Sequence, residues 1–153
     1  MKNNRNFLFY GIGSIAFGIK GNAFSWFLFF YYNMVIGLPA WMASLALAIA
    51  TIWDAISDLI IGYSSDHTKS RLGRRHPYMY AALIPVPIFF VLLWNPPTFD
   101  TDFNLFLYLL VMAVLVRTFT TLFEIPNQSL GPEITREYHE RTKMMSLRYF
   151  FGW

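Results

Sequence analysis

Cysteine is absent from this sequence and charged side chains are scarce, and each absence narrows what the protein can be. Without cysteine, the chain forms neither a disulfide framework nor a cysteine-ligated metal site. Charged residues make up only 14% of the 153 residues, against roughly 25% in ordinary globular chains, while hydrophobic residues reach 56%. A soluble domain of this size cannot hide so much apolar surface behind so few charges. The composition therefore predicts a membrane protein.

The sequence also lacks the patterns of common enzymes and nucleic-acid binders. It contains no nucleophile–base pair and no phosphate-binding glycine loop, and its three histidines do not have metal-ligand spacing. The net charge of +3 comes from basic residues confined to short segments between apolar runs, which is not the pattern of a nucleic-acid-binding surface. We therefore expect no enzyme activity, no organic cofactor and no nucleic-acid partner.

Long apolar runs make up most of the chain and predict an all-α transmembrane fold. A spanning helix needs about 20 mostly apolar residues, and four runs reach that length. Pro85 and Pro87 lie inside the third run, where membrane helices tolerate proline, and the fourth is predicted to stop at Pro126. A fifth run is truncated at Trp153, so we expect the chain to be the N-terminal part of a longer protein. The predicted spans are residues 7–33, 39–64, 78–94, 103–125 and 144–153.

The placement of lysine and arginine predicts the orientation of these spans. Basic residues precede the first span, separate the second from the third and follow the fourth. The two intervening loops, near residues 37–40 and 95–102, contain none. The positive-inside rule places the N-terminus and both basic loops in the cytoplasm. We expect a multi-pass protein of the plasma (cytoplasmic or inner) membrane.

Charged residues inside the predicted spans are the main candidates for function, because each costs at least a few kcal/mol in a bilayer. Asp54 and Asp58 are four residues apart, which puts both carboxylates on one helix face about 6 Å apart. Two adjacent anions need a bound cation, a basic partner or a proton to coexist in a low dielectric. The charged residues inside the spans are Lys20, Asp54, Asp58, Arg117 and Glu124.

Two interpretations of the aspartate pair remain open from the sequence. In the first, Asp54, Asp58 and the neighbouring Ser57 hydroxyl form a site for a coupling cation. In the second, the carboxylates form structural ion pairs, for instance with Lys20 or Arg117, and only hold the helices together. Arg117 and Glu124, seven residues apart on one helix face, likewise either line a polar cavity or pair with other charges.

The segment after the second span combines glycines and charges in the pattern Gly-x3-Asp-x4-Arg-x-Gly-Arg-Arg. Glycine permits close backbone approach and positive φ, and the aspartate can contact the nearby arginines as a cytoplasmic gate. An ordinary positive-inside loop is the alternative, but the arrangement is more specific than that. The residues of this gating loop are Gly62, Asp66, Arg71, Gly73, Arg74 and Arg75.

This loop resembles the signature between helices two and three of the major facilitator superfamily. Its Asp-to-Arg spacing is similar to that of the glycoside–pentoside–hexuronide:cation symporters, which include the melibiose permeases. Residues 53–58, 124–126 and 132–135 extend the resemblance. It implies that the chain supplies helices 1–4 and the start of helix 5 of a twelve-helix transporter. It also implies cation-coupled symport of a sugar or sugar acid by alternating access, with the remaining C-terminal helices and membrane lipid as partners.

The resemblance also implies roles for individual residues. The cation, sodium or a proton, is expected at Asp54 and Asp58, with Ser57 replacing an asparagine of the melibiose permeases and Thr121 nearby. The substrate is expected to contact Glu124 and Arg148. Those permeases have a sugar-binding aspartate in the first helix, whose best local match here is Lys20, or Gly18 without a gap. Its replacement favours an anionic sugar or a different substrate.

Two other functions remain open from the sequence. One is a proton-coupled carrier, or a carrier of a lipid-like substrate, in the same superfamily. The other is a small membrane scaffold or subunit that performs no transport and uses its paired intramembrane charges only for assembly.

Overall fold

The computed structural model describes residues 12, 14–70, 73, 75–134 and 138–152. These residues form helices joined by turns, with no β-strand among them, which confirms the predicted all-α class. Two π-helical segments, Ala23–Phe27 and Tyr31–Val35, alternate with the first two α-helices. The α-helices are α1 (Ile15–Asn22), α2 (Leu28–Phe30), α3 (Ala40–His67), α4 (His76–Leu83), α5 (Pro85–Trp94), α6 (Asp102–Ile134) and α7 (Tyr138–Gly152).

Three helical stretches in the described part of the chain are long and apolar enough to cross a bilayer. They correspond to the second, third and fourth predicted spans. Of the first predicted span, residues 7–11 and 13 lie outside the described residues. The three stretches are Ala40–His67 (28 residues), His76–Trp94 (19 residues) and Asp102–Ser129 (28 residues).

Two helices are longer than the sequence predicts. α3 continues to His67, so Gly62 and Asp66 lie in its last turns and not in the following loop. α6 continues through Pro126 to Ile134, and the prediction that it stops at the proline is wrong. Pro126 is fully buried. Proline removes one helical hydrogen bond, but neighbouring helices in a membrane protein satisfy the backbone that it frees.

The third span is interrupted, and the last helix begins early. Ile84 separates α4 from α5, yet its backbone stays helical, with φ −87° and ψ −47°. The interruption is therefore a gap in hydrogen bonding, because Pro85 and Pro87 have no N–H to donate. α7 begins at Tyr138 and not near residue 144.

The described helices form two compact units. The first comprises Met1–Leu28 and Gln128–Trp153, and in it α1 packs against α7. Ser14 Oγ donates a hydrogen bond of 3.0 Å to the backbone carbonyl oxygen of Arg148. Gly18 lies so close to Gly152 that a Cβ atom on Gly18 would overlap the Gly152 carbonyl group. Small residues thus let the two backbones approach closely, as in many membrane helix pairs.

The second unit, Phe29–Asn127, contains α3 and the part of α6 up to Asn127 side by side. Trp53 of α3 forms a hydrogen bond with Thr118 of α6, and further along both helices Gly62 faces Ile125. The two helices therefore run in the same direction. α5 reaches α6 through the stacked rings of Phe89 and Phe119, whose centroids are 5.4 Å apart. The buried faces of α3 and α6 are small or apolar, and include Ala43, Ala46, Ala50, Leu109, Ala113 and Val116.

One end of the second unit is held by a group of tyrosine hydroxyls that we call the tyrosine cap: Tyr31, Tyr32 and Tyr108. They donate to three successive carbonyl oxygens at the C-terminus of α5. The distances are 3.0 Å from Tyr31 to Trp94, 2.7 Å from Tyr32 to Leu93 and 2.8 Å from Tyr108 to Leu92. The last carbonyls of a helix lack their usual helical donors, and of these three only that of Leu92 also accepts a backbone hydrogen bond within the described part of the chain, from the Asn95 N–H over 3.1 Å. The cap thus satisfies the carbonyls of Leu93 and Trp94, which are costly to bury without a donor.

Candidate functional site

Asp54 and Asp58 occupy successive turns in the second half of α3. Four residues make slightly more than one helical turn, so both carboxylates lie on one side of the helix, as their spacing predicts. Both residues are half-buried, and the Asp54 side chain is 24% exposed. Each therefore sits inside a membrane-spanning helix but keeps partial access to its surroundings.

Asp54 is engaged by two side chains of α6. Arg117 Nη1 lies 2.5 Å from Asp54 Oδ2, and the Arg117 side chain is only 16% exposed. The hydroxyl of Thr121, which is buried, points at the other carboxylate oxygen, Oδ1, over 3.4 Å. That contact is long for a hydrogen bond, so the guanidinium is the principal partner. Of the basic partners that the sequence allows for the pair, the structure places Arg117 at Asp54.

Asp58 is in a different state. Within the part of the chain that the structure describes, Asp58 makes neither a hydrogen bond nor an ion pair. Ser57 is buried, and its hydroxyl donates to the backbone carbonyl oxygen of Asp54 over 3.0 Å, so its proton is committed to its own helix. Its oxygen lone pairs remain available as acceptors. The two aspartates thus differ: one carboxylate is neutralised by an arginine, and the other is open.

Trp53 links the same two helices beside the ion pair. Its indole Nε1 donates to Thr118 Oγ1 over 2.8 Å, and that hydroxyl donates to the Val114 carbonyl oxygen over 2.7 Å. This contact was not predicted, although the neighbouring positions Trp53–Asp54 and Arg117–Thr118 each combine an aromatic or hydroxyl side chain with a charge. It fixes α3 against α6 at the level of Asp54.

The predicted substrate-binding residues fall into both compact units. Glu124 is half-buried on α6, one turn beyond Thr121, in the same unit as Asp54 and Asp58. Arg148 is half-buried on α7 in the other unit, where its backbone carbonyl oxygen accepts from Ser14. Lys20 lies on α1 in that unit too, and its side chain is outside the described part of the structure.

The predicted gating loop is partly described. Arg75 Nη2 lies 3.2 Å from Asp66 Oδ1, the side chains being 12% and 57% exposed. Gly73 has φ +94°, a backbone conformation that favours glycine. Gly62 faces Ile125 of α6, where an added Cβ atom would make an ordinary contact at 3.7 Å. Arg71 and Arg74 lie outside the described residues.

The chemistry of this face suits a small hard cation or a proton. Carboxylate and hydroxyl oxygens are the ligands that such cations use. With Arg117 paired to Asp54, the charges of Asp54, Asp58 and Arg117 sum to −1. One monovalent cation or one proton at Asp58 would therefore complete the neutralisation.

Comparison with known proteins identifies the family of this chain. Residues 9–153 match a family model described as MFS/sugar transport protein. An uncharacterized symporter of Synechocystis sp. is 38% identical over 150 residues, which is 95% of this chain and 28% of that protein.

Two further relatives have names that specify a substrate. The isoprimeverose transporter of Lactiplantibacillus pentosus is 28% identical over 143 residues, 94% of this chain and 30% of that protein. Sodium-dependent lysophosphatidylcholine symporter 1 of Xenopus tropicalis is 28% identical over 140 residues, 91% of this chain and 26% of that protein. The chain therefore spans less than a third of the length of these relatives.

Proposed function

This chain belongs to the MFS/sugar transport protein family, and from that premise we propose that it forms the first helices of a cation-coupled symporter. The family match confirms the resemblance to the glycoside–pentoside–hexuronide:cation symporters and makes the chain an integral membrane protein of a transporter family. In the proposed protein, twelve helices form two halves with the substrate between them near the midplane. Alternate opening of the two sides then carries cation and substrate across together.

The observation that supports this proposal most directly is the unequal state of the two aspartates. A carboxylate inside a membrane span is costly unless it is paired or protonated. Asp54 has Arg117, whereas Asp58 has no partner among the described residues. We propose that the coupling cation, sodium or a proton, binds at Asp58, on the face that also carries Asp54, Ser57 and Thr121.

Cation binding at this face can favour substrate binding because the two events are thermodynamically linked. Neutralising Asp58 removes an uncompensated charge, which makes an occluded, dehydrated state of the transporter less costly. If the cation raises the affinity for the substrate, the substrate must raise the affinity for the cation by the same factor. That reciprocity is the basis of symport.

We propose a sugar or sugar acid as the substrate, contacted by Lys20, Glu124 and Arg148. One relative is named as an isoprimeverose transporter, which supports a glycoside. Two of the three proposed contact residues are cationic, and a guanidinium and an ammonium both suit a carboxylate. A hexuronide, which adds a carboxylate to a sugar, fits that combination.

A lipid-like substrate is the second candidate, because another relative is named as a sodium-dependent lysophosphatidylcholine symporter. The discriminating measurement is uptake into vesicles that contain the full-length transporter under an imposed sodium gradient. Accumulation of a labelled hexuronide or glycoside supports the first candidate. Accumulation of a labelled lysophospholipid, with no sugar uptake, supports the second.

We further propose that the Asp66–Arg75 contact lies at the cytoplasmic side and biases which side of the transporter is open. The basic loops that flank it support this orientation through the positive-inside rule. Residues 1–153 contain no cysteine, so single cysteines introduced there report sidedness in a full-length transporter whose remaining helices have been freed of any cysteines. A membrane-impermeant thiol reagent should label Ser70→Cys from the cytoplasm and Thr98→Cys from the opposite side.

The proposal is tested by cation binding to the full-length transporter in detergent. Sodium chloride is titrated against a choline chloride balance while tryptophan fluorescence is followed, and Trp53 lies beside Asp54 as a reporter. We expect a saturable sodium signal in wild type and in Asp100→Asn, an exposed loop control, and loss of the signal in Asp58→Asn. A signal that survives in Asp58→Asn would place the site elsewhere.

If wild type gives no sodium signal, proton uptake on substrate binding becomes the deciding measurement, because a coupled proton must bind more tightly when the substrate is bound. Proton uptake that disappears in Asp58→Asn would establish proton coupling at the same residue. Absence of both signals would reduce the aspartate pair to structural charges, as expected for a scaffold that performs no transport.

A further inference from the structure

We propose that Asp54 does not bind the coupling cation but holds Arg117, a built-in positive charge that competes for Asp58 when Asp54 is lost. This inference rests on the proposed function, because it divides roles within the same cation site. Asp58 becomes the carboxylate that receives the cation, and Asp54 becomes a positioning residue that keeps Arg117 away from it.

The contacts around Asp54 support this division. The Arg117 guanidinium lies 2.5 Å from one carboxylate oxygen of Asp54, and the Thr121 hydroxyl lies near the other. Both oxygens therefore face side chains of α6. No comparable contact reaches Asp58 within the described residues. A guanidinium stays charged at every physiological pH, and it therefore acts at Asp54 as a permanent cation would.

The position of the two aspartates gives Arg117 an alternative partner. Asp58 lies on the same face of α3, about 6 Å further along the helix axis. α3 and α6 run in the same direction. The step from Asp54 to Asp58 along α3 is therefore parallel to the step from Arg117 to Thr121 along α6. An arginine side chain is long and flexible enough to turn by that distance. Once the carboxylate of Asp54 is removed, Asp58 is the carboxylate that remains on this face of α3.

The charge balance predicts how each substitution changes sodium affinity. Wild type carries a sum of −1 over Asp54, Asp58 and Arg117, which one sodium ion neutralises. Asp54→Asn brings the summed charge of positions 54, 58 and 117 to zero. It also removes the carboxylate that holds Arg117, which we expect then to pair with Asp58. Two unit charges about 6 Å apart, at an effective dielectric constant near 20, interact strongly enough to weaken sodium binding about 100-fold.

The deciding experiment is a double-mutant cycle on the full-length transporter, read by sodium titration of tryptophan fluorescence. We expect Asp54→Asn to bind sodium about 100-fold more weakly than wild type. Adding Arg117→Gln to Asp54→Asn restores the sum of −1, and we expect the affinity to return to within roughly threefold of wild type. A ligand role for Asp54 predicts the opposite, because the double variant would still lack a ligand.

Matched controls separate charge from folding. Arg117→Lys in the Asp54→Asn background keeps the positive charge and should not restore binding. Arg117→Gln alone gives a sum of −2 and should bind sodium at least about tenfold more tightly than wild type. Gel-filtration profiles and thermal midpoints show whether each variant is folded.

The outcomes distinguish this inference from the proposed function. A double variant as weak as Asp54→Asn, or an Asp54→Asn variant that binds like wild type, would overturn the inference while leaving the site at Asp58 intact. A wild type that does not respond to sodium, or an Asp58→Asn variant that does, would overturn the proposed sodium site and the inference with it.

Discussion

At one end of the second unit, tyrosine hydroxyls hold the C-terminus of α5, whereas at the other end a surface ion pair joins α3 to the start of α4. The tyrosine cap is neutral, and Tyr32 within it is fully buried. The Asp66–Arg75 contact is charged, and its two side chains are unequally exposed, Asp66 by 57% and Arg75 by 12%. Both ends also have a glycine at φ +94°, Gly37 beside the cap and Gly73 beside the ion pair.

The difference shows how the setting decides the strength of a polar contact. A buried hydrogen bond to a backbone carbonyl is costly to lose, because the carbonyl then has no partner in a low-dielectric environment. An ion pair whose carboxylate is exposed, as that of Asp66 is, competes with water and salt and contributes less to stability. The capped end is therefore built to stay closed, and the ion-paired end can separate at low cost.

Loss of the buried tyrosine hydroxyl should have the largest effect. Tyr32→Phe leaves the Leu93 carbonyl without its donor, and we expect a loss of about 1–3 kcal/mol in the free energy of unfolding. Tyr80→Phe is the matched control, since Tyr80 is exposed and should change stability by less than about 0.5 kcal/mol. Thermal unfolding in detergent measures both. Equal midpoints for the two variants would show that the cap contributes nothing to stability.

Alanine at the two positive-φ glycines should have an intermediate and unequal effect. A residue with a Cβ atom costs about 1–2 kcal/mol in this conformation, so Gly37→Ala and Gly73→Ala should both lower the thermal midpoint. Gly73→Ala should be the worse, because its Cβ would lie 3.3 Å from His76 Nδ1, whereas nothing lies within 4 Å at Gly37.

Removal of the histidine ring tests that steric explanation. In the His76→Ala background, Gly73→Ala should cost no more than Gly37→Ala does in wild type. An excess cost that persists without the imidazole would mean that the crowding at Gly73 has a different origin.

Removal of the surface charge should have the smallest effect. Asp66→Asn should lower the free energy of unfolding by at most about 1 kcal/mol. The difference from wild type should shrink as sodium chloride is raised from about 0.01 M to 1 M, because the Debye length falls from about 30 Å to 3 Å. Thermal midpoints across that salt series measure it. A loss of stability in Asp66→Asn as large as that in Tyr32→Phe, or one that does not change with salt, would contradict the difference in strength between the ion pair and the tyrosine cap.

The spans were predictable because their signal is local. About 20 consecutive apolar residues can be counted directly, and the three stretches found in the structure each contain most of a predicted span. The helix ends were less predictable. From the sequence, Pro126 predicts the end of a helix, but it is fully buried within α6. Its burial depends on neighbouring helices, whose positions the sequence pattern alone does not give.

The site was predictable up to the face of one helix. The four-residue spacing of Asp54 and Asp58 follows from helical geometry alone. Which cation partners Asp54 depends on how α3 lies against α6, and the sequence left Lys20 and Arg117 equally open. The same reason explains why the sequence does not predict the hydrogen bond between Trp53 and Thr118 or the tyrosine cap. Both contacts join separate helices, and the Trp53–Thr118 and Tyr32–Leu93 partners are more than 60 positions apart in the sequence.

The interruption at Ile84 has a mechanical consequence for the third span. Pro85 and Pro87 supply no N–H, so the carbonyl oxygens of Ala81 and Leu83 receive no helical hydrogen bond from them. A continuous helix must break such bonds to kink sharply, whereas this span already lacks them while its backbone remains helical. It is thus two short rods, α4 and α5, with a compliant joint between them. α4 begins at the Asp66–Arg75 contact, and α5 ends at the tyrosine cap. The joint therefore lets α4 tilt without displacing α5.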